Sequence, residues 1–333
     1  GAIFTAAFIG GIFQIWIGKM LKPIRHMFPP LVTGIVVLMI GISLLKVGFK
    51  YAGGGVWLMN NKPEIFANWH HLTIAGTVLI VALLTNLKGK GMVSAASILI
   101  GIVAGFIVAA MLGEVRWEKI AAADWFAIPM PMQYGIDFVW GAVILMLFMS
   151  IVTTIETIGD ISATTMGGAN REATNKELSG GIMADGVGTA FASIFNAMPN
   201  TSYSQNAGLV AFTGVISRHV GTVAGVILIL LGLFPKLGGI IAAMPDSVIG
   251  GAAIIMFGLI AGAGIKLISK SEMSQRNVLI LALSLSFGIG LYAFPEFVAH
   301  VPDLGIKLGL LLTTGLIPAG LLAFILNATL PNK

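Results

Sequence analysis

The sequence predicts an all-α polytopic membrane protein whose spans form two inverted repeats. Three observations predict it: an apolar composition, a series of about eleven apolar segments, and a short motif that recurs an odd number of spans later. Of 333 residues, 57% are hydrophobic and only 10% charged, where water-soluble domains carry about 25% charge. Mean hydropathy is +0.96. Soluble, fibrous and disordered classes are excluded by these values. The formal charge of +5 comes without any basic run longer than two residues or an aromatic-basic platform, so nucleic acid is not an expected partner. With no cysteine, neither a disulfide frame nor a thiolate metal site is available. Gly1, inside an apolar stretch without a basic leader, reads as a start within a longer protein rather than a signal peptide.

A hydrocarbon layer about 30 Å thick takes roughly 20 apolar residues per helix. The candidate segments lie near 1–18, 29–46, 72–88, 92–112, 138–159, 179–197, 199–217, 220–241, 247–265, 277–295 and 305–326. Two are irregular. The sixth carries Asp185 among glycines, and the seventh opens on Pro199 and a polar stretch, leaving 207–216 as its helical half. Lys and Arg on alternate loops number 12 against 7, which places the C-terminus in the cytoplasm of a cell whose inner (plasma) membrane holds the chain. Phe28-Pro29-Pro30-Leu31-Val32-Thr33-Gly34 resembles Met244-Pro245-Asp246-Ser247-Val248-Ile249-Gly250, at a constant offset of 216 residues. Seven spans separate the two copies. A unit repeated after an odd number of crossings is inverted, an architecture of many secondary transporters. The complete fold is then seven plus seven spans, with this chain supplying spans 4 to 14.

Glu156, Asp160 and Asp185 fall within apolar spans, where a carboxylate costs on the order of 3 kcal/mol. Glu156 and Asp160 are four residues apart and share one helix face. The bland alternative is that each carboxyl caps a helix or ties the bundle together. Residues 199–208 are polar at six of ten positions, and unsatisfied backbone in hydrocarbon costs several kcal/mol per group. The segment is therefore expected to line a protein cavity as a short half-span strand near 200–206. Asn206-Ala207-Gly208 then opens a half-helix whose first N–H groups face that cavity. Such an end offers donors to a polar or anionic ligand, and the Gln205 amide adds an acceptor and two donors in a plane. Planar heterocycles have the complementary shape.

Gln205-Asn206-Ala207-Gly208-Leu209-Val210-Ala211-Phe212-Thr213 resembles the signature of the nucleobase-ascorbate transporter family of nucleobase/cation symporters. Glu156-Thr157-Ile158-Gly159-Asp160-Ile161-Ser162-Ala163-Thr164 looks like that family's eighth-span motif, and Ala184-Asp185-Gly186 like its ninth. The resemblance covers essentially the whole chain. It implies a core domain holding 1–28 and 135–243, and a gate domain holding 29–134 and 244–333. It further implies that Glu156, Gln205, Asn206 and Ser204 contact substrate, while Asp160, Asp185 and Thr213 support coupling or core packing. Gln at the head of the signature looks more like the xanthine and uric acid branch than the uracil branch.

The function so implied is import of a purine nucleobase by proton symport, with no cofactor and no catalysis. Sodium coupling is the competing version. Membrane lipid and a second copy, through the gate domain, are the expected partners. An anion carrier of the same fold would want a basic residue at the half-helix end, where Gln205 and Asn206 stand. An intramembrane hydrolase would want a base for Ser204, and no span supplies a histidine. The adjacent His70 and His71 lack an evident third ligand for a metal site.

Overall fold

A computed structural model describes residues 1–21, 29–203, 206, 210, 214–300, 309 and 312–331. Among the described residues, helices are the only regular structure. The main ones are α1 (Ala2–Lys19), α2 (Pro30–Ala52), α3 (Trp69–Lys88), α4 (Ser97–Met111), α5 (Trp140–Ala169), α6 (Asn175–Ile194), α7 (Arg218–Gly232), α8 (Pro235–Ala243), α9 (Asp246–Ile268), α10 (Gln275–Ala293) and α11 (Leu316–Thr329). Six of them, α1, α2, α3, α5, α9 and α10, are long and apolar enough to cross a membrane, and the α7–α8 pair makes a seventh if taken as one bent span. The all-helical, multi-span class expected from composition holds.

Several boundaries differ from the apolar segments. The expected span 220–241 is bent by 80° between α7 and α8. Pro235 opens α8, and a proline both lacks the N–H needed to continue a helix and drives its predecessor out of helical geometry. Phe234 accordingly sits at φ −111°, ψ 85°. The segment 92–112 is split at Ala96 into Met92–Ala95 and α4. Conversely, α5 continues ten residues beyond the expected 159 and stops only at Asn170, whose left-handed φ of 51° ends the helix. Of the half-helix expected over 207–216, residues 207–209 and 211–213 lie outside the described residues; 214–216 are not helical, and Gly214, at φ +68°, donates its N–H to the Val210 carbonyl at 2.8 Å. No strand forms over 197–203, which is irregular. A strand needs a partner ladder, and this segment is held instead by side-chain hydroxyls and an amide.

The chain forms two compact units. In unit one (1–43, 130–215 and 260–333), α1 packs along both α5 and α6. Glycines make the approach possible, as is usual between helices in lipid. A Cβ at Gly11 would stand 2.6 Å from the Gly186 carbonyl oxygen and 2.7 Å from the Ala190 nitrogen. Hydroxyls add to the contact: Ser150 Oγ donates to the Gly10 carbonyl at 3.0 Å and Ser179 Oγ to the Gly18 carbonyl at 2.7 Å. Elsewhere in this unit, Leu31, Val32, Ile35 and Met39 of α2 form a core with Ile280 of α10 and Ala319 and Ala323 of α11.

In unit two (44–129 and 216–259), α3 packs on α4 through Gly101 and Gly105, which face Val78 and Ala82. Ile74, Val78, Ala109, Val248 and Ala252 form its buried core. Arg116 ties one end of it, donating to the Met244 carbonyl at 3.0 Å with its Nη2 3.9 Å from the Asp246 carboxylate.

Candidate functional site

Helix α5 is rich in hydroxyls, and most of them bond to their own helix. Thr154 donates to the Ser150 carbonyl (2.7 Å), Ser162 to Ile158 (2.6 Å) and Thr165 to Ile161 (2.9 Å). This i to i−4 bonding hides a polar group within the helix at little cost. Thr157 is different. It is 1% exposed, and its hydroxyl donates across to Asp185 Oδ2 on α6.

The start of α6 fixes where Asp185 falls. Thr174 and Glu177 form a reciprocal capping box, and Arg171 holds Glu177 at 2.9 and 2.5 Å. From that start Asp185 and Thr189, four residues apart, fall on one face. Thr189 Oγ1 donates to Asn200 Oδ1 at 2.9 Å and accepts from the Asn200 N–H at 3.3 Å. The next two residues reach α5. Thr201 Oγ1 donates to Glu156 Oε2 at 3.2 Å, and Ser202 Oγ donates to Asp160 Oδ2 at 2.5 Å.

Three carboxylates in apolar spans are therefore brought together by one irregular segment and two helices, and each receives at least one hydroxyl hydrogen. Glu156, Asp160 and Asp185 are all partly buried. Such a cluster gathers several carboxylate oxygens, all acceptors, in one place. It also presents both donors and acceptors, since a hydroxyl that donates to a carboxylate keeps its lone pairs free.

Of the other residues singled out by sequence, Asn206 is exposed and its N–H donates to the Tyr203 carbonyl at 3.0 Å. Ser204, Gln205 and Thr213 lie outside the described residues. Sequence reasoning did not assign Thr157, Thr189 or Asn200. The only signal for Thr157 was its place beside Glu156, and the Thr189–Asn200 latch joins residues that nothing in their spacing pairs. Among the described residues, no group of three His, Cys, Asp or Glu side chains is arranged to hold a metal ion.

Six helices long and apolar enough to cross a membrane make this an integral membrane protein, and residues 1–297 match Xan_ur_permease, a permease family, to which this chain belongs. It is an integral membrane transport protein and not an enzyme. Its relatives include a putative purine permease of Clostridium perfringens, 38% identical over 331 residues, covering 99% of this chain and 71% of that protein. Xanthine permease XanP of Escherichia coli K12 is 33% identical over 338 residues, covering 100% and 72%. Uric acid permease PucJ of Bacillus subtilis is 34% identical over 329 residues, covering 98% and 72%. Among solved structures, the transmembrane domain of the cyanobacterial bicarbonate transporter BicA aligns with a TM-score of 0.47 at 17% identity, over 98% of this chain and 76% of that one.

Proposed function

We propose that the chain carries a purine nucleobase, xanthine or uric acid, across the cell membrane in symport with protons. The observation that carries this reading is the tethering of Thr201 and Ser202 to Glu156 and Asp160. It sets a polar backbone break beside paired carboxylates, an arrangement whose donors and acceptors suit a flat heterocycle with alternating N–H and C=O groups. The relatives named for purine, xanthine and uric acid support the substrate class.

In this reading Glu156, Ser204, Gln205 and Asn206 contact the base. Asp160, Asp185 and Thr213 support coupling and core packing. A proton taken up at Glu156 lets its carboxyl donate to the base as well as accept from it. The loaded core (1–28 and 135–243) then moves against the gate (29–134 and 244–333) and exposes the site to the other side. The inverted repeat behind such motion is supported by α2 and α9, which are 23 residues each and begin 216 residues apart, at Pro30 and Asp246. Their contacts run antiparallel: Gly34 meets Ile268, Leu38 meets Gly264 and Gly41 meets Ala261. The C-terminus lies in the cytoplasm, and pairing of copies is through the gate.

The test is uptake of labelled xanthine and uric acid by the full-length protein in energised cells or vesicles. Glu156→Gln is expected to abolish accumulation against a gradient while leaving substrate-induced thermal stabilisation detectable. Accumulation at the wild-type level in that variant would overturn the role of Glu156. Collapse of uptake by a protonophore at constant sodium supports protons as the coupling ion, and collapse on sodium removal alone replaces them.

A further inference from the structure

The seam where α1 packs on α5 and α6 buries a polar group that the carboxylate cluster does not use. Gln14 of α1 is 2% exposed, and its amide nitrogen has no hydrogen-bond partner among the described residues. Its neighbours on the helix fix where it points. Gly10 accepts from the Ser150 hydroxyl of α5, while Gly11 and Ile15 both approach Gly186 of α6. Four residues after Gly10 and three after Gly11, Gln14 stands between the face turned to α5 and the face turned to α6. Its enclosure is reached with these helices themselves, so a partner for the amide has to come from within the seam.

The same level of the seam holds an acceptor that is under-used. Gly186, the residue that Gly11 and Ile15 meet, directly follows Asp185. The Asp185 carboxylate takes the Thr157 hydrogen on Oδ2, and Thr157 is its one hydrogen-bond partner among the described residues. An ionised carboxylate has about four lone-pair sites, so Oδ1 is left to accept. A buried donor without a partner lowers the stability of the state that contains it. Such a group calls for a reason, and a partner gained in another state of the molecule supplies one.

We propose that Gln14 is a positioning residue for Asp185: as the carrier passes between its loaded and empty forms, the carboxylate alternates between the Thr157 hydroxyl on α5 and the Gln14 amide on α1. This role rests on the reading of Asp185 as a group that supports coupling. Thr157 holds the carboxylate in the state described, and Gln14, with three side-chain torsions to swing its amide along the seam, holds it in the other.

Methionine is the test residue, because it is unbranched like glutamine and carries no amide. In full-length protein, Gln14→Met is expected to melt at or above wild type, since an unpaired donor is removed, yet to lower the rate of uptake about tenfold. Uptake and counterflow are followed with whichever of a panel of labelled nucleobases the wild type carries, so the result does not depend on the substrate or the coupling ion proposed above. A second arm needs no transport. In Thr157→Val the vacated carboxylate turns to Gln14, and adding Gln14→Met in that background is expected to lower the melting temperature by a further step of about 2–4 °C, reversing the sign of its effect. Wild-type uptake by Gln14→Met would overturn the proposal. A lower melting temperature in that single variant, the mark of an amide already satisfied by an ordered water, would do the same, as would an unchanged or higher one when it is added to Thr157→Val.

Discussion

Two stretches of the same helix, α5, meet the membrane interior in opposite ways. Between Phe148 and Ile155 the helix buries Val152 and Ile155 against Val36 of α2 and lines a cavity of about 300 Å³ whose walls are almost wholly carbon, Thr154 being the one hydroxyl-bearing lining residue among the described residues. One residue later the character changes. Glu156, Thr157 and Asp160 each bond a group from another segment. The apolar stretch is stabilised by packing, which tolerates any side chain of suitable shape. The polar stretch depends on partners, because a buried carboxylate without a donor is expensive. The carboxylates of this bundle thus sit where the hydroxyls of Thr157, Thr201 and Ser202 supply hydrogens to them.

The largest expected effect strikes the support beneath the polar stretch. Gly11→Leu places carbon 2.6 Å from the Gly186 carbonyl and forces α1 away from the helix that carries Asp185, at a cost on the order of 4 kcal/mol or more. Little folded protein should be recovered by fluorescence-detected size exclusion. Gly180→Ala, on α6 where a Cβ meets nothing within 4 Å, should be neutral or stabilise by about 0.5–1 kcal/mol. A smaller pair of changes tests the contrast within α5 directly. Thr157→Val removes the donor to Asp185 and should cost about 1–3 kcal/mol together with a clear loss of uptake. Thr154→Val keeps the shape and removes only a bond to its own helix, so it should cost under about 1 kcal/mol and leave uptake intact. Equal losses from the two valines, in thermal unfolding and in uptake, would erase the distinction between the stretches.

How much of this was legible depended on whether the signal was local. Glu156, Asp160 and Asp185 stood out because charge amid apolar residues is rare, and the four-residue spacing already put two of them on one face. The polar run after Pro199 announced a break for the same reason, and the structure holds it to both helices. Thr157 and Thr189 carried no such signal. Hydroxyls are common along α5, most bond within the helix, and which one reaches across is decided by the rotation of α6. The bend at Pro235 was written in the sequence, yet its neighbours Leu231 and Leu237 are apolar and made 220–241 read as continuous. The split at Ala96 has no proline to mark it. The planar amide of Gln205, central to the reading of the signature, lies outside the described residues.

The smallest expected effect asks whether the start of α6 sets the register that brings Asp185 and Thr189 towards α5. Glu177 sits ahead of the apolar part of that helix, on its exposed first turn, and closes the capping box with Thr174. Hydrogen bonds from Arg171 and from the backbone and hydroxyl of Thr174 hold its carboxyl well below the usual carboxylate range. A depressed folded value means that the contribution is complete above the unfolded value of about 4.3 and is lost only as pH falls through the folded one. Glu177→Gln should therefore lower the melting temperature slightly, by an amount constant from pH 8 to pH 5, with the gap to wild type closing only in stronger acid. Because the ion pair is exposed, raising the salt should narrow the gap as well. If the register is set here, uptake falls in step with the melting temperature. A variant that melts lower but transports normally would show that contacts further along, at Gly11 and Gly186, fix the rotation of α6 by themselves.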